Sequence, residues 1–216
     1  DPKADSTSAL LGGHRAKTVI DLVREKGAAL TLDDMVTEGY RGVLCVEAGG
    51  PTPGLGCAGR GITAALEKLR EKGAFDRYAP DAVLYDVLGD VVCGGFSVPM
   101  RGGYADRVFV VTSGENMAIY AAANIAMAVE NFRSRGYASM GGIILNRRNV
   151  KDEEKKVQTL AADIGCPIVG ALSRSETVQA AEELGKTVLE AFPESAMAAE
   201  YRTLAAAVAA ACGLEV

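Results

Sequence analysis

Short runs of valine, isoleucine and leucine alternate along this chain with longer stretches whose apolar residues recur every three or four positions. That alternation admits few folds, and the leading one is an α/β layer structure with a mostly parallel sheet flanked by helices. Strands are predicted at Gly42–Val46, Ala82–Tyr85, Arg107–Thr112, Gly142–Leu145 and Pro167–Ala171. Most of these runs are continuous rather than alternating, which predicts burial on both faces. Helices are predicted over Arg15–Lys26, Thr31–Glu38, Gly59–Lys72, Asn116–Arg135, Asp152–Ile164, Thr177–Leu184 and Ala196–Cys212. Thr31 followed by Asp34 supplies a helix start. Gly27, Gly73 and Gly136 each follow a helix, where a left-handed cap suits glycine. No repeat or low-complexity linker interrupts the pattern, so residues 1–216 read as a single domain.

In such sheets ligands bind beyond the carboxyl ends of the strands. That rule puts Asp86, Ser113, Asn146 and Ser173 on one working edge. The net charge of −5, with no basic stripe, argues against a nucleic-acid partner. The longest apolar run, near Ala205–Cys212, is too short to span a bilayer, and no signal peptide is visible. Five scattered cysteines, an odd number, do not read as a disulfide framework. A cytoplasmic protein with metal-binding or buried thiols is expected. With His14 as the sole histidine, zinc-hydrolase and triad chemistry have no support, and His14 reads as a polar surface residue.

Two of the cysteines stand in glycine-rich loops. Cys57 lies in Pro53-Gly54-Leu55-Gly56-Cys57-Ala58-Gly59-Arg60-Gly61, and Cys93 in Gly89-Asp90-Val91-Val92-Cys93-Gly94-Gly95. Glycine lets backbone N–H groups come close to the inorganic sulfurs of an iron–sulfur cluster. The bland alternative, two buried thiols, explains neither the glycines nor the approach Gly50-Pro51-Thr52-Pro53-Gly54. Two thiolates are too few for a [4Fe–4S] cubane, so a two-fold dimer sharing one cluster is expected. Cys45, Cys166 and Cys212 read as packing residues.

Asp86-Val87-Leu88-Gly89 carries the Asp-x-x-Gly pattern of a phosphate sensor. A carboxylate at the end of a strand can hold Mg²⁺ through water, Gly89 can offer its N–H to a γ-phosphate, and Asp90 is placed to orient the attacking water. The pattern also occurs where an aspartate caps a turn and a glycine supplies a left-handed residue.

Taken together, the Gly-x-Gly-Cys-Ala-Gly-Arg-Gly and Asp-Val-Leu-Gly-Asp-Val-Val-Cys-Gly-Gly-Phe motifs, Ser113-Gly114-Glu115 and the opening Asp-Pro-Lys-Ala-Asp-Ser resemble the nitrogenase iron protein family. The likeness runs over nearly the whole chain and is strongest from Glu47 to Asn149. It implies a P-loop NTPase-like fold of the deviant Walker A class and a homodimeric ATPase with one bridging [4Fe–4S] cluster and MgATP. Such a protein takes electrons from a ferredoxin or flavodoxin. It passes them singly to a catalytic metalloprotein partner, with hydrolysis gating each transfer.

By the same resemblance Asp1, Lys3 and Asp5 correspond to a first nucleotide switch, with Asp5 near Mg²⁺ and Lys3 near the nucleotide or the other subunit. Asp86 to Cys93 corresponds to the second switch, with Asp86 and Asp90 in the hydrolytic site, Gly89 at the phosphate and Cys57 and Cys93 on the cluster. Asn146 resembles the adenine-contacting asparagine, Arg174 lies in the loop near the base, and Arg60 resembles the docking arginine that some relatives ADP-ribosylate. The family's first strand and phosphate loop precede the segment matched by Asp1–Ser6. The chain is therefore expected to be a fragment, poorly soluble and without ATPase activity by itself. Gly185-Lys186-Thr187 imitates the end of a Walker A motif, but Ala180 stands where the motif needs glycine.

Ser173-Arg174-Ser175 replaces the family's usual Pro-Arg-Asp, and Asn116 and Ala123 also depart from it. Such drift keeps open a reductase for tetrapyrrole, nickel-cofactor or carbon–sulfur chemistry. A cluster-free partitioning ATPase of the same fold is the competing class, but it would not need the two cysteine loops. Met117, Met127 and Met140 read as core filler.

Overall fold

The computed structural model describes residues 3–50, 58–89, 98–101, 103–133 and 135–214, and the backbone alone at residues 58, 60 and 101. The first half of the chain builds a helical lobe. A 3-10 turn over Ser8–Leu11 leads to α1 (Val19–Lys26), where the Thr18 hydroxyl accepts from the Asp21 amide at 3.1 Å. Thr31 opens α2 (Leu32–Met35) as its spacing from Asp34 predicts: its amide and hydroxyl donate to the Asp34 carboxylate at 3.0 and 2.8 Å. The Lys26 ammonium also meets this carboxylate, and that contact, followed by the Thr31 bonds, holds Asp34 down at about 2.

The expected helix Thr31–Glu38 is corrected here. After one turn Val36 is extended (φ −108°, ψ 122°), and Thr37–Glu38 (β1) pairs antiparallel with Leu44–Cys45 (β2). Two consecutive β-branched residues and Gly39 disfavour continuing the helix, and the Gly39 amide closes the hairpin on the Val43 carbonyl at 2.8 Å. The run Gly42–Val46 is thus part of an antiparallel ribbon and not a parallel strand.

α3 (Ala58–Glu71) buries Ile62, Ala65, Leu66 and Leu69, one stripe of an amphipathic helix. Ala65 and Leu69 close a core with Val19, Leu22, Leu30, Leu32 and Met35, joined by Ala74 of α4 (Ala74–Tyr78). Gly73, at φ 73°, makes the turn between α3 and α4. The anticipated strand Ala82–Tyr85 has no ladder partner among the described residues, and Leu84 is 89% exposed. Tyr85 instead packs edge-on against Tyr104 at 6.5 Å, and burial pushes its hydroxyl up to about 12.

A short helix, α5 (Val98–Arg101), precedes the second half. There Arg107–Thr112 (β3), Ser139–Asn146 (β4) and Ile168–Leu172 (β5) form a parallel sheet in the order β3-β4-β5. The crossovers are α6 (Asn116–Arg133) and α7 (Glu153–Ile164). Val110, Ile143 and Leu145 meet Ala122 of α6 and Val157, Leu160 and Ala161 of α7 on one face. On the other face Gly170 admits the Leu204 side chain of α10 (Ala196–Ala211). A Cβ at 170 would lie 2.6 Å from Leu204 Cδ1. Leu172 packs there with Ala181 of α8 (Glu176–Glu183) and Val188 of α9 (Val188–Ala191).

Burial on both faces holds for β4 but not for β3, whose Val111 is 61% exposed. Met117 and Met127 are exposed on α6 rather than core filler, and Tyr120 is exposed beside them; Met140 alone of the three methionines packs inward. An unbroken apolar run records that a segment can be covered, not that something covers it. The Gly185-Lys186-Thr187 decoy is a helix junction. Lys186 pairs with Glu190 at 3.0 Å, and the Thr187 hydroxyl caps α9.

Candidate functional site

Strand register places three of the four edge residues together. Thr112 lies opposite Leu145, and Asn146 opposite Leu172, so Ser113, Asn146 and Ser173 share the carboxyl edge of the sheet. The loops that follow them are tied to one another. The Glu153 carboxylate, 8% exposed at the start of α7, accepts from the amides of Arg148 at 3.0 Å and Asn149 at 3.2 Å. Gly114 lies so close that a Cβ there would be 2.1 Å from Glu153 Cβ. Lys156 reaches the Gly114 carbonyl at 3.2 Å, and Glu200 accepts from the Ser173 amide at 2.7 Å. Arg174, next to Ser173, is exposed, as is Asn146.

Asp86 lies in the segment without a ladder, where its carboxylate accepts from the Ser6 hydroxyl at 2.6 Å. That bond joins two stretches eighty positions apart, Lys3–Ser6 and Asp86–Gly89, which the family resemblance leads one to expect as separate switches. Lys3, Asp5 and Asp86 are all exposed. Ala4, between Lys3 and Asp5, holds φ 55°, a left-handed geometry uncommon outside glycine and often found at functional loops. Gly89 does not adopt a left-handed φ, and a Cβ there would meet nothing within 4 Å among the described residues. Among the described residues nothing packs against the Cβ position of residue 89, so the space there is open.

Asp1, Cys57, Asp90 and Cys93 lie outside the described residues, as does the side chain of Arg60, whose backbone is in the first turn of α3. The other three thiols differ in their surroundings. Cys45 is buried, and burial followed by the charge of Glu47 raises its pKa; burial raises Cys166 as well. Both are packing residues as expected, but Cys212 is exposed at the end of α10. In a native alkylation time course Cys212 should therefore react fastest of these three and Cys45 only on unfolding; mass spectrometry of labelled peptides checks the order. Among the described residues no three His, Cys, Asp or Glu side chains converge as a metal site.

Sequence reading overlooked four residues that organise these loops: Ser6, Thr7, Glu47 and Glu153. Thr7 donates its amide and hydroxyl to Glu47 Oε1 at 2.8 and 2.7 Å. One signal was available for Glu47, a lone carboxylate set between Val46 and Ala48 at the end of an apolar run.

The family model described as "4Fe-4S iron sulfur cluster binding proteins, NifH/frxC family" matches residues 1–214. The chain belongs to this family. It is 51% identical over 208 residues to the nitrogenase iron protein of Methanospirillum hungatei JF-1, an alignment covering 95% of this chain and 73% of that protein. The septum site-determining protein MinD of Pyrococcus horikoshii OT3, solved with Mg-ADP, superposes with a TM-score of 0.69 at 16% identity, covering 97% of this chain and 80% of that one. MinD of Pyrococcus furiosus gives 0.66 at 14% identity (93% and 79%), and a ParA-family ATPase of Chlorobium tepidum TLS 0.61 at 18% (93% and 78%). These structures establish the P-loop NTPase-like α/β fold. Membership of the NifH/frxC family supports a nitrogenase-reductase type of function, with a 4Fe-4S cluster, MgATP, a homodimer and a catalytic partner as the family's attributes. No helix among the described residues is long and apolar enough to cross a membrane.

Proposed function

We propose that this protein is an ATP-dependent electron-transfer reductase that delivers electrons to a nitrogenase or nitrogenase-like catalytic partner. The observation that carries the reading is the Ser6–Asp86 bond near Gly89, whose Cβ position is open among the described residues; it brings the two segments read as nucleotide switches to one place. There Asp5 and Asp86 supply carboxylates for Mg²⁺, Gly89 an amide for the terminal phosphate, and Asp90 the group that orients water. Asp1 and Lys3 complete the phosphate end. Asn146 and Arg174 stand at the edge suited to the base, on loops held by Glu153 and Glu200.

Cys57 and Cys93, each in a glycine-rich loop that matches the family's cluster motifs, are the thiolates for the cluster, and two copies of the chain supply the four ligands of a cubane. When bound, the cluster holds and releases one electron. The chain's part is to link Gly89 to Cys93, four residues on, so that a phosphate contact changes how the thiolates are held. Arg60 belongs to the surface that meets the partner. A ferredoxin or flavodoxin is the donor, and the catalytic partner selects the final substrate.

Anaerobic purification followed by EPR with and without MgATP tests the reading. The expected preparation is brown, contains iron and acid-labile sulfide, and gives a cluster signal whose shape changes with MgATP. A colourless preparation without iron or sulfide would return the chain to the cluster-free partitioning class.

A further inference from the structure

Glu47 is 1% exposed, and its two carboxylate oxygens differ. Oε1 accepts from both the amide and the hydroxyl of Thr7, whereas Oε2 is buried with no hydrogen-bond partner among the described residues. A half-satisfied buried carboxylate is unfavourable, and an apolar or amide side chain would fill the same space with less desolvation. Its backbone is fastened on the other side. The Glu47 carbonyl accepts from the Val19 amide at 2.8 Å, and the Ala48 carbonyl from Ile20 at 3.3 Å. Gly49, at φ 80°, presses on Thr18, and Gly61 of α3 packs on Gly49 and Gly50. Glu47 thus touches a segment two residues beyond Asp5 with its side chain, while its main chain is locked to α1 and leads into α3.

From this geometry we infer that Glu47 is a positioning residue that carries nucleotide occupancy at Asp5 to residues 47–50 and the start of α3. This is a second route, separate from the one running through Asp86 and Gly89. The inference rests on the proposed function, in that it presumes a nucleotide at Asp5. A ligand that shifts Ser6 and Thr7 pulls on Oε1. With Oε2 unpartnered, no other hydrogen bond among the described residues restrains the carboxylate. Motion of the side chain is passed to a backbone that packs without slack against α1 and α3.

The test is hydrogen–deuterium exchange of the purified protein with and without MgATP, which needs no electron transfer. In the parent protein MgATP should change exchange in peptides covering 43–50 and 58–62 and in those covering 84–89. Thr7→Val, which keeps the amide bond but removes the hydroxyl, should shrink the response at 43–62 by about fivefold or more. Its response at 84–89 and its nucleotide affinity should stay as in the parent. Thr7→Ser should restore the lost response, and Glu47→Gln, which keeps one acceptor oxygen, should weaken it. A Thr7→Val protein with the full response at 43–62, or with equal losses in both regions, would overturn the Glu47 route alone. So would a parent protein that responds at 84–89 only. A parent protein with no MgATP response in either region would overturn the proposed function, and the Glu47 route with it.

Discussion

Gly61→Ala is expected to lower the stability of the folded chain by about 3 kcal/mol, the upper part of the range for overpacking a rigid contact. A Cβ at 61 would stand 2.4 Å from the Gly49 carbonyl oxygen and 3.0 Å from Gly50 Cα. Both neighbours are backbone, and neither can swing aside. Gly49 is itself pinned against Thr18, and the residues before it are bonded to the first turn of α1. Helix α3 must therefore move off the 47–50 segment. In a domain of this size the loss corresponds to a fall in Tm of roughly 6 to 12 °C. Calorimetry or a thermal melt followed by circular dichroism measures it, and an unchanged Tm would show that the helix and the segment do not meet as described.

Cys57→Ser and Cys93→Ser are each expected to abolish stable cluster binding, with iron falling from about four atoms per dimer to near zero. Each substitution removes two of four thiolates at once, because a symmetric dimer repeats it. Cys45→Ser should retain its iron, since that thiol is buried against Gly39 and Glu47 and not available as a ligand. Colorimetric iron and sulfide assays on the three proteins decide the point. Iron retained by Cys57→Ser or Cys93→Ser would transfer the ligand role to another group.

The elements that sequence reading placed well are those whose burial and period agree. β3, β4 and β5 were legible because Val110, Ile143 and Leu145, with Ile168 and Ala171, sit in short apolar runs that pack on α6 and α7, and α3 because its apolar stripe matches the helical repeat. Reading failed where a short segment answers to distant neighbours. Thr37 and Glu38 leave the helix for a two-residue ribbon whose partner lies beyond a turn. Ala82–Tyr85 has the composition of a strand, yet composition names no ladder partner. Met117 and Met127 occupy apolar positions of α6 that face outward.

At the site the glycine and cysteine motifs were visible because they recur as patterns. Glu47, Thr7 and Glu153 were not, because a single carboxylate or hydroxyl acquires its meaning only from the amide it meets. The Ser6–Asp86 bond joins positions eighty residues apart, and no local spacing could announce it.

The bonds around Glu153 and Glu200 set the carboxyl edge of the sheet apart from the Ser6–Asp86 contact. The turns after Asn146 and Leu172 have their amides fixed by internal carboxylates before any ligand arrives. Ser6 and Asp86, by contrast, meet in solvent through one hydroxyl. An adenine ring docking at the first place would find its seat already shaped and lose little entropy in ordering it. On the proposed function, discrimination between triphosphate and diphosphate would fall to the second place, where the exposed Ser6–Asp86 contact can be exchanged for a phosphate oxygen at small expense.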